Sequence, residues 1–230
     1  MFIPLHDHNP LAHVRRQYVT WGLILLNVAV FVVVQGGGLS APALQASSLS
    51  FGLVPAVFFD YRDLAPELAI VPEGASIVTY AFLHGDWLHL GGNMLFLWVF
   101  GDNVEDALGH LRFLVFYLLC AALSGLAHAL LDPQSIAPLI GASGAVAGVI
   151  GAYLVLHPRV NVWVLAFGRL PLRLPAAWVL AAWIVFQLVM AFGAGDEQVA
   201  WWAHVAGAAV GAVLVIVMRR RGVPLFDRGL

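Results

Sequence analysis

Six runs of apolar residues, at about 19–35, 79–100, 113–131, 139–157, 175–193 and 200–218, most tightly constrain what this chain can fold into. Each is close to the roughly 20 residues that a helix needs to cross the hydrocarbon core of a bilayer. Composition agrees. Only 10% of the 230 residues are charged and 61% are hydrophobic, whereas a soluble domain carries about 25% charged residues. The chain therefore reads as an all-α membrane protein with six transmembrane helices. The front of the second run is broken by "HGDW", so that its helix could begin as late as Trp87. A shorter run, "NVWVLAF" at 161–167, is closed by Gly168, Pro171 and Pro175 and is too short to span.

Every basic residue is arginine, which makes orientation simple to test. Arg15 and Arg16 precede span 1, and Arg112 separates spans 2 and 3. Arg159, Arg169 and Arg173 lie between spans 4 and 5, while Arg219, Arg220, Arg221 and Arg228 follow span 6. All of these share one side if both termini are cytoplasmic; Arg62 alone falls on the other. The excess of positive charge on cytoplasmic connections then places both termini on the cytoplasmic side. This divides the chain into a cytoplasmic N-terminal segment (1–18), a six-helix membrane domain (19–218) and a short basic cytoplasmic tail (219–230). The segment "MFIPLHDHNPLAHVRRQ" has no apolar core ahead of a cleavage site and carries Asp7, so it reads neither as a signal peptide nor as a mitochondrial address. The long first loop, about 36–76, carries "FGLVPAVFFDYRDL", an aromatic and charged stretch expected to lie as an interfacial cap on the outer surface. The single cysteine, Cys120, sits in an apolar run and reads as a packing residue.

Polar side chains inside apolar spans are costly, and they tend to be functional or tightly paired. Four stand out. His89 and Asn93 lie in "HLGGNM" near the start of span 2, Ser143 opens span 4 in "GASGAVAG", and His204 comes early in span 6 in "WWAHVAGAAVG". His89 and Asn93 are four apart and share a helical face. Spans 2, 4 and 6 all run outside to inside, so the four residues converge at one depth below the outer surface. Gly144 with Gly148, and Gly207 with Gly211, form two G-x-x-x-G pairs that would let spans 4 and 6 approach closely. Ser143 and His204 then come within hydrogen-bond reach. A serine hydroxyl needs a base to become a nucleophile, and histidine is the usual one. Backbone N–H groups at the helix start beside Ser143 suit a developing oxyanion, and His89 and Asn93 can add side-chain donors. Gly141 and Gly144 leave room for a substrate backbone. No Asp or Glu lies within a span to orient His204, so the expectation is a Ser–His dyad.

These residues resemble the rhomboid family of intramembrane serine proteases. "GASG" at 141–144 is similar to the nucleophile motif, "HLGGN" at 89–93 to the His-x-x-x-Asn motif, and "AHVAGAAVG" at 203–211 to the last-helix motif. "FLHGDWLHLGGNM" and the N-terminal "IPLHDHNP" are typical of bacterial members. The resemblance implies a six-helix bundle with a water-filled cavity open to the outside, located in the cell (inner) membrane. It implies cleavage of other proteins' transmembrane segments, with Ser143 as nucleophile, His204 as general base, and His89, Asn93 and the Ser143 N–H as the oxyanion hole. The partners it implies are membrane-protein substrates and the lipid bilayer, with no metal, cofactor or nucleic acid. His84 matches a structural position that holds the first loop. One departure is Ala147, where some members carry an aromatic residue stacked on the histidine; Trp201 or Trp202 are the candidates to orient His204 instead.

Three other readings are weaker. An intramembrane metalloprotease needs H-E-x-x-H on a helix, which this sequence lacks. Rhomboid-like escorts lack the dyad, whereas both its members are present here. A transporter would show duplicated halves, and none are visible. Substrate access is expected sideways from the lipid past span 5, with Gly193 and Gly195 as hinges.

Overall fold

The computed structural model describes residues 2–166, 168–193 and 199–227. Arg228 of the basic tail and Gly195 of the expected hinge lie outside these residues. The elements run β1 (Phe2–Asp7), α1 (Tyr18–Ala29, continuing as a wider π turn over Val30–Val34), α2 (Ala41–Phe51), α3 (Pro55–Phe58) and α4 (Ser76–Thr79). They continue through α5 (Trp87–Leu108), α6 (His110–Leu131), α7 (Ser143–Leu156), β2 (Asn161–Ala166), β3 (Leu170–Pro175), α8 (Ala176–Phe192) and α9 (Trp201–Met218). Each of the six apolar runs contains a helix, α1, α5, α6, α7, α8 and α9 in turn, with α5 beginning only at Trp87 and α7 at Ser143. Two of them, α6 and α9, are long and apolar enough by themselves to cross a membrane, while α1, α7 and α8 are apolar but shorter.

The bundle is built around α7, which is buried from Gly144 to Tyr153 and packs against α5, α6 and α9. Outer helices turn large apolar side chains outward, among them Leu25, Leu111, Trp178 and Val217. Such a surface suits hydrocarbon and not water. The fold is an all-α membrane bundle.

Helix α5 runs eight residues past the expected end at 100, through Asp102, Glu105 and Asp106. Hydropathy stops there, but the helix does not, because its acids are occupied. Glu105, fully buried, accepts from the N–H groups of Val19 and Thr20 and from the Thr20 hydroxyl. That caps the start of α1, where free N–H groups favour a negative charge. Asp106 accepts from the N–H groups of Ala12, His13 and Val14.

A three-stranded antiparallel sheet in the order β1-β2-β3 joins the N-terminal segment to the connection between α7 and α8. The run at 161–167, too short to span, is mostly its central strand. The chain's end returns to the same region, where Phe226 and Asp227 donate to the carbonyls of Val155 and Leu156. The N-terminus, this connection and the C-terminal segment thus share one end of the bundle, as six alternating helices require.

At the other end, the long loop folds down as a packed cap. Leu53, Val54, Ala56 and Val57 are buried, and Leu53 exchanges two backbone hydrogen bonds with Leu139 (3.0 and 2.8 Å). Helix α2 is entered through Gly36, Gly37 and Gly38, all at positive φ, and capped by Ser40. The cap thereby holds the strand of chain that leads into Ser143.

Candidate active site

Ser143 is the first residue of α7, so its N–H belongs to the first turn, whose donors have no acceptor within the helix. The chain reaches it through Gly141, whose φ of +124° is closed to ordinary L-residues. Gly141 N–H is held by the Tyr80 carbonyl at 3.0 Å. A β-carbon at 141 would also lie 2.7 Å from His89 Nε2 and 3.7 Å from Ser143 Oγ. The open side of Gly141 therefore sits between the serine hydroxyl and the His89 ring.

His204 Nε2 lies 2.8 Å from Ser143 Oγ. The two residues are brought together by the glycine faces. A β-carbon at Gly207 would overlap the Gly144 carbonyl, one at Gly211 the Gly148 carbonyl, and one at Gly151 the Ala208 carbonyl. Gly144 and Gly148 serve a second neighbour: their own bare sides face Ser124 and Cys120 of α6. Cys120 is buried against Gly148 as a packing residue. Small residues thus let α7 be gripped on two sides at once.

His89 stands in the first turn of α5, which Asp86 caps by accepting from the N–H groups of Leu88 and His89 (2.7 and 2.8 Å). Its Nδ1 accepts from Gly85 N–H at 3.3 Å, which leaves Nε2 as the N–H nitrogen, on the Gly141 side. Asn93 follows one turn later, and its amide nitrogen is buried with no hydrogen-bond partner. A buried donor without a partner costs about 1–3 kcal/mol, a cost that an arriving acceptor would relieve.

His84 is fully buried, edge-on to His89 at 5.1 Å between ring centroids. Its peptide group is tied to the end of the first apolar run, just ahead of the first loop. Gln35 accepts from His84 N–H and donates to its carbonyl (2.8 and 2.9 Å).

One residue escaped the sequence reading. Gln187 of α8 is buried, and its Oε1 lies 2.8 Å from His204 Nδ1. Trp183, one turn earlier, places its ring 6.0 Å from the imidazole, tilted 35°. Trp201 meets His204 edge-on at 6.2 Å, whereas Trp202 packs on Phe192 instead. The signal was available: Gln187 interrupts "VFQLV" as plainly as Ser143 interrupts its own run.

A family profile described as the Rhomboid domain matches residues 71–221, a stretch that holds Ser143, His204, His89 and Asn93. The chain belongs to the rhomboid family. Among its relatives, "Rhomboid protein 1, mitochondrial" of Saccharomyces cerevisiae is 31% identical over 153 residues, covering 62% of this chain and 41% of that protein. "RHOMBOID-like protein 12, mitochondrial" of Arabidopsis thaliana is 30% identical over 156 residues, covering 60% and 44%. "Rhomboid-like protein 11, chloroplastic" of the same plant is 30% identical over 155 residues, covering 65% and 54%. This rhomboid thus matches about half the length of these relatives or less. The matched region begins inside the first loop, so β1 and α1 of this rhomboid lie ahead of it.

Proposed function

We propose that this rhomboid is an intramembrane serine endopeptidase working through a Ser143–His204 dyad. The observation that carries the reading is the 2.8 Å contact between Ser143 Oγ and His204 Nε2, inside a bundle whose outer surface is apolar. In the first half-reaction, His204 Nε2 takes the hydroxyl proton as Ser143 Oγ attacks the carbonyl carbon of the scissile bond. The oxyanion that forms accepts hydrogen bonds from Ser143 N–H, His89 Nε2–H and the Asn93 amide. Collapse breaks the C–N bond, and His204 returns its proton to the departing amine. Water then attacks the acyl-serine, with His204 again taking and returning a proton, to release the acid.

A peptide bond inside a continuous helix is shielded, so the substrate's span must locally unwind. Each backbone group freed in lipid costs several kcal/mol unless protein or water receives it. Gly, Ala, Ser or Pro near the scissile bond should therefore favour cleavage. The arginine distribution supports both termini lying in the cytoplasm, with the dyad near the outer face. On that reading 1–18 and 219–230 flank a membrane domain at 19–218, and α8 is the span past which substrates enter.

The test is covalent labelling in detergent by a serine-directed fluorophosphonate. Wild type should label and Ser143→Ala should not; equal labelling of the two overturns the reading.

A further inference from the structure

Helix α8, "AAWVLAAWIVFQLVMAF", has one strongly polar side chain among apolar ones. Val185, Phe186, Val189 and Phe192 are exposed, while Gln187 turns inward and is only 4% exposed. An amide placed there is unfavourable unless it is hydrogen-bonded, and its oxygen meets His204 Nδ1 at 2.8 Å.

An amide oxygen accepts and cannot donate. Facing Oε1, the His204 ring must carry its hydrogen on Nδ1. Nε2 then presents a lone pair, and that lone pair faces Ser143 Oγ at 2.8 Å. The opposite tautomer would put N–H against the hydroxyl and leave no base. Gln187 therefore does two things for one ring: it selects the tautomer that can accept a proton, and it fixes the ring plane. Once Nε2 is protonated, the amide dipole still accepts from Nδ1–H and steadies the positive ring. The Trp183 ring, on the same face of α8, restrains the imidazole from the side. The residue one turn after the serine, Ala147, contributes only a methyl group.

We propose that Gln187 is the positioning residue of this site, so that the working unit is a hydrogen-bonded Ser143–His204–Gln187 chain in which only Ser143 and His204 exchange a proton. The proposal rests on the protease reading above. Its alternative is that Gln187 merely joins α8 to α9, and the two differ in what conservative variants do.

Gln187→Met keeps the size and removes the acceptor; Gln187→Glu keeps an acceptor oxygen and adds charge. On a membrane-spanning substrate, Gln187→Met should lower kcat about tenfold to a thousandfold, less than the loss seen when a triad carboxylate is replaced. KM should stay within about twofold, since an interaction that matters only in the transition state leaves binding intact. Gln187→Glu should recover most of the kcat. It should also move the acid limb of the kcat/KM profile to higher pH, because a neighbouring carboxylate favours the protonated ring. Among the described residues, the other titratable groups acting on His204 are His89 from α5 and His128 from α6. From α7 it faces the Ser143 hydroxyl, and neither α8 nor α9 carries a charged residue. None of these changes in the variants, so a shift belongs to position 187.

A kcat for Gln187→Met equal to wild type overturns the positioning role. So does a Gln187→Glu variant that is folded yet shows the wild-type acid limb, and this outcome decides the matter if the methionine variant does not fold. Failure of the protease reading itself looks different: Ser143→Ala would then cleave like wild type, whatever happens at Gln187.

Discussion

The bare face of Gly207 lies against the carbonyl oxygen of Gly144, so closely that a β-carbon there would overlap it. Gly144 follows Ser143 directly, and Gly207 stands one turn beyond His204 on α9. The contact between two glycines is therefore what sets the distance between the Ser143 and His204 side chains.

Gly207→Ala or Gly211→Ala should push α9 away from α7. Overpacking of this kind costs about 1–3 kcal/mol, and a shift of about 1 Å at a reacting group can cost about a hundredfold in rate. Both variants should melt earlier and label more slowly with a fluorophosphonate. Gly22→Ala on α1 is the control, since nothing lies within 4 Å of its added carbon. Unchanged melting and labelling in the Gly207 and Gly211 variants would refute this account of the packing.

If hydroxyl and imidazole act as one unit, removing either should cost nearly as much as removing both. Ser143→Ala, His204→Ala and the double variant should be similarly inactive on a transmembrane substrate. EDTA should leave the wild type unaffected. Strictly additive losses in the double variant would mean that the two residues act separately.

Oxyanion donors predict a graded loss. Removing one donor typically costs about 10²–10³ in rate, so Asn93→Ala and His89→Ala should keep a reduced but measurable activity. The His89 ring also accepts from Gly85 N–H in front of α5, a bond that His89→Ala loses, so this variant should melt earlier as well. Wild-type cleavage rates in both would place the hole on other groups.

Lateral access past α8 predicts a difference between substrates. A bifunctional thiol cross-link between cysteines introduced at the Phe192 end of α8 and the Trp87 end of α5 should block cleavage of a membrane-spanning substrate. Labelling of Ser143 by a small reagent arriving from water should persist. Normal cleavage by the cross-linked protein would show that α8 is not the gate.

Asp7, outside the helices in β1, gives a pH signature. Burial holds its carboxyl above the ordinary 3.8, against the opposing effects of the Tyr153 hydrogen bond, His6 and His157. Tyr153 donates to it at 2.6 Å. With the folded value raised, the folded state keeps a proton that the unfolded chain has released. The contribution of Asp7 is therefore full below pH 3.8 and is lost as pH rises through the raised folded value. Melting temperature of wild type relative to Asp7→Asn should fall across that window and then level off. A difference that stays flat or rises across the window would contradict the burial of Asp7.

The sequence by itself determined the helices and singled out the candidate site residues, because both are written in local patterns. Long apolar runs fix where helices form in a medium that offers the backbone no other partner. Ser143, His204, His89 and Asn93 were visible because a polar group in such a run is costly. The rest depended on contacts between residues far apart in the chain. The end of α5 was read too early because Glu105 and Asp106 are acceptable in a helix only once α1 and residues 12–14 donate to them. The sheet was unread because β1 and β2 are separated by most of the bundle, and short strands acquire meaning only from their partners. Gln187 was passed over for the same reason. Its polarity was legible, but its role lay in a bond to His204 that only the packing of α8 on α9 creates.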